Sequence, residues 1–391
     1  MLVATASQMV IAMSNHILPV IAPKLAESLA VDPSWIGYQV SLTFGAGAVA
    51  AIAGGAAVAR WGAARTSQIC VAACALGVLM FTLPSIAAVA AGSLLVGSGL
   101  GMINSTAADL LVKYTPPARR NLMFSIKQTG VPVGGVLAAL MAPALAVTVG
   151  WQWAMAVVAA ACMAVFAFIE MHRAAWDADR DRHVRSEAGS FGAIPFVLAN
   201  ASLRWICITS MIFSGVQRCV LSFTVVYLVA EHRFGLVEAG VMLSAVQFGG
   251  VFARIFWGWV ADRTGGILVL SVICMMTALG TAALIMFNPE WPRALMLAMF
   301  FILGTAVVGW NGVSHAEAAR LSPPGMAAAV AGGSSSFIFA GVLFGPSLYA
   351  LAYGGIGSYA ATFWFVVGAA LLAMLCLALA WNASRAQAGR A

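Results

Sequence analysis

Apolar runs of about 20 residues recur along nearly the whole chain, and no other feature limits its folding so severely. A run of that length matches an α-helix crossing the hydrocarbon core of a bilayer. Twelve such spans are expected, near 2–22, 36–58, 67–88, 90–112, 121–146, 150–171, 204–229, 236–260, 267–287, 293–317, 326–350 and 358–382. An ordinary soluble domain is excluded. Of the 391 residues 62% are hydrophobic and only 8% charged, where soluble domains carry about 25% charged residues. The mean hydropathy is +0.96. The expected fold class is an all-α membrane protein.

The chain carries 20 Lys and Arg against 13 Asp and Glu. A basic excess alone is compatible with nucleic acid, but its placement points to a membrane. With the N-terminus cytoplasmic, all but six of the basic residues fall in the tails, the central linker and the loops after even-numbered spans. Lys24, Arg233 and Arg293 fall on the opposite side, and Lys127, Arg218 and Arg254 lie within spans. This is the positive-inside bias. It predicts a multi-pass protein of a bacterial-type inner membrane, with both termini cytoplasmic and no nucleic-acid partner. The seven cysteines all sit in apolar runs without metal-ligand spacing, so they read as packing residues. Neither a metal nor a cofactor is expected, and no cleavable signal is evident before the first span.

One long polar segment, His172–Ser190, divides the spans six and six. The expected organisation is an N-terminal bundle over 1–171, a cytoplasmic linker over 172–203, a C-terminal bundle over 204–382 and a tail over 383–391. The two halves repeat. At an offset of 203, Gly37, Ser41, Gly47, Arg60 and Gly62 meet Gly240, Ser244, Gly250, Arg263 and Gly265. At an offset of 207, Lys113–Pro117 meets Arg320–Pro324. Parallel six-span repeats with a site between them describe one large class of secondary transporter.

The stretch Gln247–Gly265 concentrates these signals. It starts as an apolar helix, carries Arg254 inside that helix, and ends in the turn Gly258–Gly265 with Asp262 and Arg263. A Gly-x-x-x-Asp-Arg-x-Gly loop after span 8, with a weaker copy after span 2 at Gly55, Arg60 and Gly62, resembles the loop signature of the major facilitator superfamily. Ala59 stands where the first copy should have its aspartate. The resemblance covers essentially the whole chain. It implies twelve helices in two pseudo-symmetric six-helix bundles, packing of span 5 with span 8, and alternating access rather than catalysis. Two features depart from the drug/proton antiporters of that superfamily. Span 4, Leu94–Ala108, has no arginine, and Pro132 in span 5 is displaced by one residue from their Gly-Pro-x-x-Gly-Gly pattern. By contrast Ala253–Gly258 resembles span 8 of monocarboxylate transporters and oxalate/formate exchangers. There an arginine four residues before the loop glycine holds a substrate carboxylate, which is the position of Arg254. The lysine that the exchangers carry in span 11 is absent, and span 11 offers Ser334, Ser335 and Ser336 instead.

A charge inside a span is costly unless it faces a partner or a wet cavity. Arg254 falls on one helical face with Ser244 and Gln247, a polar stripe on an apolar helix, and a guanidinium pairs a carboxylate through two hydrogen bonds. The bland alternative is an arginine that snorkels to the interface. Lys127, followed by Gln128, enters span 5 to a similar depth. Arg218 lies deeper in span 7 on a stripe with Ser210, Ser214, Gln217 and Ser222, or else pairs with Glu231. Asn311, with Trp310 and His315, marks span 10. His16 and His315 are the candidate proton carriers, because imidazole titrates nearest neutrality. Arg60, Asp109, Asp262, Arg263 and Glu317 lie near the loops and read as a gating charge relay. Spans 6, 9 and 12 are nearly free of polar side chains.

Cations without matching carboxylates near the midplane select anions. The expected function is therefore secondary transport of a small organic anion, a carboxylate, coupled to protons, by a single chain acting as a monomer. The main rival is proton-driven efflux of drugs or metabolites. A ligand sensor on a transporter scaffold is a third class. Nothing supports an enzyme, because no phosphate loop, metal cluster or Ser/His/Asp arrangement appears outside the apolar runs.

Overall fold

Backbone N–H and C=O groups have no water to bond inside a bilayer, so a spanning segment must satisfy its own ladder. The computed structural model, which describes residues 2–114, 120–177, 194–322 and 327–388, is helical through every long apolar run. In chain order the helices are α1 (Leu2–Leu29), α2 (Ile36–Trp61), α3 (Ala63–Met80), α4 (Ile86–Tyr114), α5 (Arg120–Leu145), α6 (Trp151–Trp176), α7 (Ile194–Ala199), α8 (Ala201–Ala230), α9 (Leu236–Thr264), α10 (Gly266–Ile285), α11 (Arg293–Gly309), α12 (Asn311–Arg320), α13 (Ala327–Ile356) and α14 (Tyr359–Ala388). Among the described residues there is no strand.

Eleven stretches are long and apolar enough to cross a membrane, and one of them, Ile126–Ala174, has 49 residues. At 1.5 Å per residue that is roughly 74 Å of helix, more than twice the hydrocarbon thickness. The ladder is interrupted within it by a π-helical turn, Ala146–Gly150, and Gly150 has φ 107°. The stretch is therefore two spans, α5 and α6. With α11 and α12 forming a single interrupted span, the expected twelve are recovered. Helix α6 continues past the expected end at 171 to Trp176, and the short α7 lies in the stretch expected to be polar linker. Most of the charged run Asp177–Arg185, together with the paired prolines of Lys113–Pro117 and Arg320–Pro324, lies outside the described residues.

The chain forms two compact units, Met1–Gly189 with Gly235–Ser244, and Ser190–Phe234 with Ala245–Ala391. The opening turns of α9 thus cluster with the first unit, where Gly240 lies against Ala139 and Pro143 of α5.

In membranes helices associate by close packing rather than by a hydrophobic driving force, so small residues mark their crossings. In the first unit a Cβ at Gly97 of α4 would overlap the carbonyl oxygen of Thr43 on α2, and one at Gly101 that of Gly47. In the second unit a Cβ at Gly304 of α11 would overlap the carbonyl oxygen of Val246 on α9, and Gly250 of α9 lies against Val308 of α11. The α2 positions map onto the α9 positions at an offset of 203 and the α4 positions onto the α11 positions at 207, the same offsets that the sequence repeat shows. A second pair of crossings matches in its glycines, at an offset of 207, and is displaced by one residue in their partners. Gly134 of α5 abuts the Met9 carbonyl of α1, and Gly341 of α13 abuts the Met211 carbonyl of α8. The repeat is therefore one of contacts as well as of letters.

The loop glycines repeat as well. Gly62 and Gly265 are the N-caps of α3 and α10, with φ 90° and φ 95°, a region that only glycine enters without strain. All seven cysteines are free and buried.

Substituting Gly304→Ala forces Cβ into the Val246 carbonyl, and overpacking of this kind costs about 1–3 kcal/mol. Gly368 lies in α14 with open space around it, so Gly368→Ala should be neutral or stabilising by about 0.5–1 kcal/mol. Thermal melting of the two detergent-purified variants checks this. Equal melting temperatures would show that the α9–α11 crossing is not limiting.

Candidate functional site

In the first unit Lys127 of α5 draws in two amide side chains. Its residue is 2% exposed, and its ammonium donates to Asn104 Oδ1 of α4 at 2.7 Å and to Gln128 Oε1 at 3.4 Å. Asn104 and Gln128 are themselves exposed. The lysine is thus covered by two amides that turn their oxygens toward it, which is how a buried ammonium is accommodated among apolar helices. His16, on α1, is buried and bonds the Ala12 carbonyl through Nδ1 at 2.8 Å. A carbonyl only accepts, so Nδ1 carries the proton in this arrangement. Gln8, one turn along α1 from Ala12, is also buried.

In the second unit Gln217 of α8 is the meeting point. Its Oε1 accepts from the indole Nε1 of Trp310 at 3.1 Å and from Asn311 Nδ2 at 3.4 Å. Trp310 falls where α11 ends and α12 begins. Trp257 of α9 donates its indole N–H to the Thr305 carbonyl at 2.9 Å, one turn before that interruption. A side chain that draws on a ladder carbonyl is a recognised source of a helix break. Ser210 of α8 bonds Ser314 of α12 below the same junction. Arg218 follows Gln217 and is buried, Gln247 of α9 is buried, and Arg254 and His315 are half-buried. Of the expected binding residues, the structure joins Gln217 with Asn311 and Lys127 with Gln128. Lys127 belongs to the first unit, whereas Arg218 and Arg254 belong to the second.

Two of the loop charges, Glu317 and Arg263, have partners within their own unit. Glu317 of α12 is buried and ion-paired with Arg320, whose Nε lies 3.1 Å from Oε2. Its carboxylate also lies against Gly266, the first residue of α10. Arg263 stacks on Trp259, with its guanidinium 3.8 Å from the ring centroid. Arg60, Asp109 and Asp262 are exposed. Glu231, weighed as a partner for Arg218, instead accepts from the Tyr359 and Ala360 backbone amides at the start of α14.

Asp177 is a residue that sequence reasoning assigned to solvated linker. The structure buries it and sets its two oxygens on the backbone amides of Ala64 and Arg65, at 2.8 and 3.0 Å. These are orphan donors at the start of α3, which the Gly62 N-cap cannot serve. Asn104 was also missed as a participant, although it is a polar handle in an otherwise apolar run, and Trp310 was noted beside Asn311 without a partner being assigned to it. Among the described residues no cluster of metal-ligating side chains occurs.

Residues 4–346 match the family model described as Major Facilitator Superfamily. Over 236 residues, 58% of this chain, it is 27% identical to an uncharacterized MFS-type transporter of Mycobacterium tuberculosis, and the match spans 50% of that protein. The chain thus covers about half the length of that curated relative. It is also 24% identical, over 71% of the chain and 67% of the relative, to a Chlamydia trachomatis protein named "Probable hexose phosphate transport protein". Among solved structures it resembles the nucleoside transporter NupG with a TM-score of 0.78 at 13% identity, covering 97% of this chain and 98% of that one. A bacterial homologue of the human lysosomal transporter Spinster gives 0.75 at 16% identity, covering 98% and 96%. At these identities the structural likenesses show the fold alone.

The Asp177 contacts predict that Asp177→Ala costs about 1–2 kcal/mol, the range of a lost N-cap side chain with its charge on the helix dipole. Asp177→Asn should recover part of that loss, because one acceptor oxygen remains. Melting temperatures of the variants measure both, and an unchanged Asp177→Ala variant would show that the start of α3 needs no side-chain cap.

Proposed function

Because the chain belongs to the Major Facilitator Superfamily, and so is a multi-pass membrane transporter rather than an enzyme, we propose that it carries a small organic anion across the membrane by alternating access, coupled to protons. The observation that carries this reading is the set of cations inside apolar helices: Lys127 on α5, Arg218 on α8 and Arg254 on α9. A guanidinium or ammonium in a partly dehydrated site binds an oxyanion strongly, with hydrogen bonds to charged groups worth about 1.5–3 kcal/mol each. The name of the chlamydial relatives, which specifies a phosphorylated sugar, supports anionic cargo of the same general chemistry. Carboxylates and phosphate monoesters both offer the oxygens that these donors recognise. In this proposal Arg254 contacts the anion, and Lys127, Arg218, Gln217, Gln247, Gln128 and Asn311 line its path.

His16 and His315 are the proton carriers in this proposal, and Arg60, Asp109, Asp262, Arg263 and Glu317 bias the loops between states. The charge bias of the loops supports cytoplasmic termini, and the chain acts as a monomer.

Uptake of labelled carboxylates and of hexose 6-phosphate into proteoliposomes, with and without an inward proton gradient, tests this. Wild type should take up one class saturably and faster with the gradient. Arg254→Gln should raise KM at least tenfold, the loss of about 1.4 kcal/mol or more of binding, and Lys127→Gln should do the same. Failure to take up any anion, with export of a cationic dye that is indifferent to Arg254→Gln, would replace this proposal with efflux.

A further inference from the structure

The amide of Gln217 is held by a group that can only donate. An indole N–H has no acceptor capacity, and Trp310 Nε1 lies 3.1 Å from Gln217 Oε1. Turning the amide over would set its N–H₂ against the indole N–H, so the orientation of Gln217 follows from chemistry rather than from the near-identical shapes of oxygen and nitrogen. Trp310 is 1% exposed and packs edge-on against Phe213, with ring centroids 5.4 Å apart at 70°. The ring that fixes the amide is therefore itself fixed. Gln217 is only half-buried, so its Nε2 is directed away from the indole and remains reachable. Asn311 adds the weaker second donor at 3.4 Å and directs its own oxygen elsewhere.

The first unit uses the same device. The Lys127 ammonium, also a pure donor, lies 2.7 Å from Asn104 Oδ1. Asn104 is exposed while Lys127 is buried, so the lysine acts from behind the amide and leaves Nδ2 facing outward.

We propose that Trp310 and Lys127 are positioning residues that lock the amides of Gln217 and Asn104 with their N–H₂ groups outward, as neutral hydrogen-bond donors for an oxyanion. This rests on the anion-transport proposal and adds two residues to it, Asn104 and Trp310. A locked amide adds a directional donor and loses no rotational freedom when the ligand arrives.

Proteoliposome uptake of the full chain separates this from a structural role. Trp310→Phe keeps a smaller aromatic ring and deletes the donor. It should raise KM for the anion about 5–10-fold with Vmax within about twofold, the signature of lost binding rather than lost folding. Gln217→Leu should raise KM by a similar factor, and adding Trp310→Phe to it should change KM less than twofold, because coupled residues are not additive. Gln217→Glu still accepts from the indole but presents only oxygens, and should reduce anion uptake more than about 50-fold, whereas Gln217→Asn keeps an amide that is one methylene short of the indole and should raise KM about as Trp310→Phe does. Asn104→Asp should behave as Gln217→Glu does.

Multiplying effects of Trp310→Phe and Gln217→Leu, or a wild-type KM in Gln217→Glu, would overturn the lock. If Trp310→Phe does not fold, the Gln217→Glu and Gln217→Asn pair decides. Wild-type uptake of a neutral or cationic solute in place of an anion sinks the anion proposal alone, and the lock is then judged by the same double-variant cycle on that solute. Absence of all uptake overturns both.

Discussion

Every part of this structure depends on one constraint: inside a bilayer a backbone polar group finds no water. Helices close their own ladders, and they then have to approach each other closely enough to exclude lipid, with no hydrophobic driving force between them. The chain meets this with glycines set against backbone carbonyls, Gly97 on Thr43 and Gly134 on Met9 in one unit, Gly304 on Val246 and Gly341 on Met211 in the other. The two sets coincide in register to within one residue, so the internal repeat is maintained by crossings where a side chain has no room.

The same constraint governs helix ends. Gly62 and Gly265 turn the chain sharply through positive φ but provide no side chain to bond the free amides of the next helix. Carboxylates from elsewhere in the same unit stand at these ends: Asp177 on the amides opening α3, Glu317 beside Gly266 at the opening of α10, and Glu231 on the amides opening α14. A negative group at a helix N-terminus is stabilised by the dipole as well as by the bonds. Of the charges read as a gating relay in the sequence, Glu317 is the one that stands at such a helix start.

Polar groups deeper in the helices are handled differently. Lys127 is covered by amide oxygens, and Gln217 is held by Trp310 and Asn311. Buried polar groups are mostly hydrogen-bonded, and these partners also fix the orientation of the amides that they hold. The interruption of the tenth span at Trp310, beside the Trp257 bond to Thr305, puts this arrangement where the helix is least regular.

The sequence by itself determined the fold class, the two sixfold halves and the loop turns, because hydropathy, glycine and charge placement act locally and repeat at fixed offsets. It also singled out Arg254, Lys127, Arg218, Gln217 and Asn311, since a polar residue in an apolar run is conspicuous whatever surrounds it. Pairing was not legible there. Nothing near Asp177 in the chain says that it closes α3, more than a hundred residues back. Nothing near Asn104 says that it faces Lys127, and nothing near Gln217 says that Trp310 holds its oxygen. Such partners are far apart along the chain and meet only when helices cross, so tertiary structure alone decided which donors each amide keeps and which it presents.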